Sequence, residues 1–263
     1  MRQRRLPVIP TLVAAYRDWG RLLIAMRAIV FTAFLILLAI SVAEDFVSRR
    51  LWEQQLSGTA LGLVKDAVWA LLLTPVLISV HRFVILGEVT RAYTLPVGEP
   101  AFRAFFGWLF ALRVLVGLPF DLLGLALTLD WSMGVSALVF AAALIGSVAL
   151  SLRLTILLPA VAVEMPGATL SHVLADTKGQ VLRTFTLFCL ALLPWLAADI
   201  GVVLLLGPRA HIPGTTPAVV ALVMGGVLQT LTFSLMAVIA SHAFMFLAAW
   251  VKRQPEVQPR AAA

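Results

Sequence analysis

Six long apolar runs decide what this chain can fold into. They cover about residues 22–43, 59–87, 105–127, 133–161, 181–206 and 217–250. At about 1.5 Å per residue, each is long enough to cross a hydrocarbon core of about 30 Å as a helix. A water-soluble fold has no use for so much continuous apolar sequence. Hydrophobic residues make up 61% of the chain and charged residues 13%, about half the charged share of a soluble domain. The expected fold class is therefore all-α: a polytopic membrane bundle of six transmembrane helices with short amphipathic interfacial helices. Nothing between the runs is long enough for a separate soluble domain.

Charge placement orients the bundle. With six crossings both ends lie on one side, which would carry Arg2, Arg4, Arg5, Arg17, Arg21, Arg82, Arg91, Arg103, Lys178, Arg183, Lys252, Arg253 and Arg260. The other side would carry only Arg49, Arg50 and Arg209. Thirteen against three is the bias that keeps basic segments in the cytoplasm. A bacterial inner membrane with both termini cytoplasmic is the expected location. The net charge of +7 comes from residues that flank apolar runs, so anionic lipid explains it better than nucleic acid does. Arg2–Arg5, the stretch 28–40 and Ser41-Val42-Ala43 imitate a signal peptide. The polar lead is too long for one, and an uncleaved first helix is expected.

Residues 1–251 read as one transmembrane domain of three hairpins, and 252–263, with two prolines and no apolar period, as a disordered tail. Segments 10–20 (PTLVAAYRDWG) and 169–179 (TLSHVLADTKG) are amphipathic and are expected to lie in the interface, each ending at a glycine, Gly20 or Gly179. A weaker version, EPAFRAFFG, ends at Gly107. Segment 207–216 (GPRAHIPGTT) should be irregular. Pro75, Pro119, Pro159 and Pro194 lie within runs and should kink or shape them.

Charges inside the runs are the functional lead, because each costs about 2.5–3.5 kcal/mol at the bilayer centre. Counting from run ends places Arg27, Arg113 and Arg153 in an inner layer and Lys65, Asp66, Asp121 and Asp199 in an outer one. The arginines are candidate contacts for anionic lipid, since a guanidinium fork matches phosphate. Snorkelling to ordinary headgroups is the competing reading. Lys65 with Asp121 or Asp199 is a candidate intramembrane ion pair, and Asp199 a candidate proton site. Stripes of small residues, Ala143, Ser147, Ser151 and Thr155 in run four and Gly226, Thr230, Ser234, Ala237 and Ser241 in run six, read as helix-packing faces.

Enzymatic chemistry has no foothold in the pattern. His81, His172, His211 and His242 are scattered, Cys189 is alone, and no phosphate-cradling loop or nucleophile elbow appears. No catalytic residue, metal site or cofactor is expected. The expected partners are membrane lipids, preferentially anionic, with a second copy or a membrane partner protein as further options. The non-enzymatic reading competes with a transporter or lipid-translocating protein that uses kinked helices and intramembrane charges.

Two stretches, SVHRFVILGE at 79–88 and LRLTILLPAVAVEMPGATLSHVLADTKGQVLRTF at 152–185, carry a resemblance. The pattern is Arg153, then Pro159-Ala160, then Glu164, then an amphipathic helix ending near Gly179. It resembles uncharacterised bacterial six-helix inner-membrane proteins, distantly similar to the membrane domain of glycerophosphoryl diester phosphodiesterases. The resemblance implies a six-helix membrane fold and no catalytic residues, because the phosphodiesterase chemistry belongs to a soluble domain.

Overall fold

Apolar length and helix-end chemistry account for the elements of the computed structural model, which describes residues 6–52, 58–166, 168–207 and 215–248. Nine helices lie among them. These are α1 (Val8–Ala25), α2 (Arg27–Trp52), α3 (Gly58–Leu86), α4 (Pro100–Thr128), α5 (Met133–Leu154), α6 (Leu157–Ala162), α7 (Leu170–Asp176), α8 (Val181–Leu206) and α9 (Thr216–Leu247). Six segments are long and apolar enough to cross a membrane, with α5 and α6 sharing one. The protein is an all-α, polytopic integral membrane bundle. The expected tail 252–263 and most of 207–216 lie outside the described residues.

Each start has a local cause. Ser132, Thr169 and Thr215 cap α5, α7 and α9 by accepting from the N–H three residues on. Pro100 and Pro217 occupy first-turn positions, where a missing N–H costs nothing. Pro75, Pro119 and Pro194 sit inside α3, α4 and α8. Pro159 acts differently. Its missing donor would have paired with the Thr155 carbonyl, and run four breaks there into α5 and α6.

The lead-in segment departs from the interfacial expectation. Instead of stopping at Gly20, α1 continues to Ala25 and breaks at Met26. Its bonds also walk inward along α8. Leu6 N–H donates to Gln180 Oε1 (3.3 Å), and Arg183 donates to the Leu6 carbonyl. Farther along, Tyr16 O–H donates to the Ala191 carbonyl (2.8 Å). Ala191 lies ten residues into α8, about 15 Å from its start. Helix α1 is thus inserted against α8 and α9. Its aromatic side chains explain why. Trp19 meets Tyr16 and Trp195 edge-on and donates to Ser234 Oγ at 3.0 Å. Gly107 likewise lies inside α4, and of the three lead-in glycines only Gly179 (φ +74°) makes a turn.

Helix α9 is the hub. Its small-residue stripe is buried along its whole length, and each step receives a different partner. A Cβ on Gly226 would stand 3.3 Å from the Phe34 ring of α2. Ser234 receives Trp19 of α1. Ser241 meets His81 Nδ1 of α3 at 2.8 Å. Ser241 Oγ also lies 3.0 Å from the Ala237 carbonyl, so the hydroxyl bridges its own helix and His81. Small residues let backbones close in where lipid removes the hydrophobic incentive to associate.

Candidate functional site

The intramembrane charges do not sort into two layers: Asp66 pairs with Arg113 across the expected boundary, and Lys65 pairs with Glu44. Arg113 of α4 reaches Asp66 of α3, with Nη2 2.7 Å and Nε 3.2 Å from the same carboxylate oxygen. Its guanidinium also lies 4.3 Å from the Trp69 ring centroid, and Trp69 rests edge-on against Phe233. Charge and quadrupole both favour the cation there. Arg113 is therefore committed to protein and is not free for lipid phosphate. The separation by depth fails because arginine is long. Counted from the outer helix ends the two residues differ by about seven positions, or about 10 Å for upright helices, and one extended side chain spans most of that.

Lys65 also differs from expectation. Its ion pair is with Glu44 of α2 (3.5 Å), not with Asp121 or Asp199. Helix α8 packs on α9 and α1, which keeps Asp199 away from α3. Both Asp121 and Asp199 face outward, and no ion pair joins either to a described residue. Arg153 turns inward to the connection before α8. It donates to the Leu174 carbonyl and, at 3.4 Å, to Thr177 Oγ1. Thr177 is itself buried.

Arg27 stands apart from these pairs. Among the described residues it has no hydrogen-bond or ion-pair partner. It opens onto a groove of about 400 Å³ formed by α1, α2 and α9, where Leu23, Phe31, Phe34, Val227 and Leu231 supply apolar walls. The only hydroxyl in the lining, on Thr230, is bonded to the Gly226 carbonyl (2.7 Å). The groove therefore offers one unsatisfied cation beside a hydrocarbon surface. Asp18, close in sequence, cannot neutralise it: that carboxylate is engaged by Arg21 (3.2 Å) and His242 (3.1 Å).

A second polar cluster closes the end of the bundle where 87–99 and the turn at Glu164 meet. Arg82, near the end of α3, forks onto Glu88 with contacts of 2.7 and 3.1 Å. Its remaining nitrogen reaches Glu164 (3.5 Å) and the Ala162 carbonyl (3.4 Å). The guanidinium hydrogen bond holds the Glu88 carboxyl below its ordinary range. The signal for this cluster in the sequence is an arginine and a glutamate six residues apart across a helix end.

The backbone beside this cluster turns back. Gly87 (φ +74°) ends α3 with its N–H on Phe83 O, while Glu88 N–H reaches Arg82 O. The Gly87 bond is that of an αL helix end, widened by the Glu88 contact, and it demands the left-handed conformation that glycine alone adopts freely. Beyond it the chain folds back along α3 until Tyr93 O–H meets the Leu72 carbonyl at 2.9 Å. Burial pushes the Tyr93 phenol up from its ordinary value. Leu72 follows Leu71, whose carbonyl lacks its usual donor because of Pro75. Gly87→Ala should cost about 1 kcal/mol, since nothing crowds a Cβ there and only the positive φ resists. Denaturant midpoints of the two proteins check this, and equal midpoints would contradict the turn.

Among the described residues, no group of three or more His, Cys, Asp or Glu side chains is placed to hold a metal ion. Comparison of the chain with protein-family models, with curated proteins and with solved structures finds no match.

Proposed function

We propose that this integral membrane protein is a non-enzymatic component of a bacterial inner membrane that binds anionic lipid through the Arg27 groove. The carrying observation is the contrast among three intramembrane arginines. Arg113 and Arg153 are bonded within the protein, whereas Arg27 faces an apolar groove without an acidic partner. A phospholipid answers both features, with phosphate on the guanidinium and an acyl chain along Phe31 and Phe34. The thirteen basic residues assigned to the cytoplasmic side support the same orientation and an anionic leaflet. The resemblance carried by 79–88 and 152–185 fits a membrane module without its own catalysis.

The test is lipid-dependent stability. Phosphatidylglycerol at about a hundredfold excess over its Kd should stabilise the solubilised protein by about 2.7 kcal/mol, and phosphatidylcholine far less. Arg27→Gln should lose most of that selectivity while Arg153→Gln keeps it. Equal stabilisation of the wild type and Arg27→Gln by phosphatidylglycerol would remove the site.

Transport is the second reading, favoured by the backbone that folds back beside Pro75 in α3. It predicts that some substrate movement depends on an intramembrane carboxyl. Asp199→Asn is the direct variant, and unchanged movement in it would exclude the proton role.

A further inference from the structure

We propose that residues 87–99 form a latched strap over a water-filled vestibule, which enters the bundle from the Arg82 side and reaches α3 at Pro75. The first ground is depth. Leu72 lies fourteen residues before the end of α3, about 21 Å along its axis, yet Tyr93 from the following connection reaches its carbonyl. The Tyr93 side chain covers the last part of that distance, and the non-helical backbone that carries it, beside Ile78 and Ser79, lies below the end of α3 in a membrane protein only where protein buries it or water bathes it.

The second ground separates those two cases. From Val89 to Leu95 no backbone N–H is bonded to a described residue; the connection's own bonds begin at Val97 and Glu99. Seven consecutive donors without protein acceptors require solvent. The third ground is the space beside them. A cavity of about 190 Å³ lies between the strap, α3, the start of α4 and the turn at Glu164, and its lining includes Ser79, Arg82, Thr90, Thr94 and Glu99. Polar groups on several walls suit water and small hydrophilic solutes, not an acyl chain.

The strap is fastened at two places of different strength. At its root, the Arg82 fork and the Gly87 turn hold Glu88. At its tip, one phenolic hydrogen bond holds Tyr93 to α3. The tip is the weaker fastening and sits within one turn of a proline, so release of Tyr93 would free the strap while its root stays in place. Tyr93 is thereby a latch, and Gly87 the pivot.

Thiol accessibility tests this in the full-length protein. Cys189→Ser removes the chain's one native cysteine. Ser79→Cys then places a thiol on the vestibule wall, Thr90→Cys places one on the strap, and Ser147→Cys, buried in the middle of α5, is the dry control. A charged, membrane-impermeant methanethiosulfonate is applied to sealed vesicles from the side bearing Arg82. The vestibule predicts that Ser79→Cys and Thr90→Cys react at least about tenfold faster than Ser147→Cys. Adding Tyr93→Phe should raise the Ser79→Cys rate again, by about threefold or more, as expected for loss of one hydrogen bond. If both vestibule thiols react as slowly as Ser147→Cys, the space is dry and the proposal is overturned. If they react quickly but Tyr93→Phe changes nothing, the latch is overturned.

Discussion

Asp66→Ala should lower the stability of the solubilised protein by about 3 kcal/mol, the low end of the range for leaving a buried ionic partner alone. Asp66 is mostly buried, so its carboxylate and the Arg113 guanidinium meet inside a membrane-spanning layer with little water to replace either partner. The variant keeps Arg113 charged and keeps its contact with Trp69, which limits the loss. Arg113 cannot shed its proton to escape the cost. The double variant Asp66→Leu with Arg113→Leu should therefore recover most of the stability, because it removes the orphaned charge along with its partner. Unfolding midpoints for the wild type, Asp66→Leu, Arg113→Leu and the double variant form a cycle that reads the coupling. If the double variant loses as much as the sum of the singles, the residues do not act as a pair.

Trp19→Ala should be about as costly, at about 3 kcal/mol, the low end of the range for truncating a core aromatic, because the indole is half-buried. The indole joins three helices: it meets Tyr16 edge-on within α1, meets Trp195 of α8 and donates to Ser234 of α9. Truncation opens a cavity at that junction and leaves Ser234 without its donor. Trp19→Phe should recover the packing but not the bond, landing between the two. The loss should also be local. Helix α1 should become cleavable near Arg17 and Arg21 by trypsin while the six spanning segments remain protected. Intact α1 in Trp19→Ala under conditions that cleave a flexible tail would show that other contacts hold it, Asp18 with His242 first among them.

The spanning helices were legible because hydrophobic length is a property of sequence alone. Run five matches α8 at both ends, and run three differs from α4 by five opening residues, begun at Pro100, and by one at its end. The start of run one was not legible. Leu22, Met26, Ile29, Ala33 and Leu37 keep one buried face across the break at Met26, so apolar periodicity carries no mark of it. The insertion of α1 was hidden for a related reason. An amphipathic segment with Tyr16 and Trp19 on one face suits a lipid interface and a protein groove equally, and only the facing α8 and α9 decide. The small-residue stripe of α9 was readable as packing, yet the partner at each step was not.

Charge pairing was the least legible part. Counting depth along upright rods put Arg113 and Asp66 in different layers, although α3 and α4 are antiparallel neighbours and an arginine reaches across. Of the candidate lipid arginines, sequence named all three alike. The distinction lies in who sits nearby: Asp66 takes Arg113, the Leu174 carbonyl and Thr177 take Arg153, and Arg27 is left facing the groove.

Native mass spectrometry of the gently solubilised protein tests that distinction most directly. Wild type and Arg153→Gln should each retain a discrete anionic phospholipid that Arg27→Gln has lost, at matched folded fraction and matched oligomeric mass. Retention of the same lipid by Arg27→Gln, or a wild type that carries none, would contradict a lipid site at the α1–α2–α9 groove.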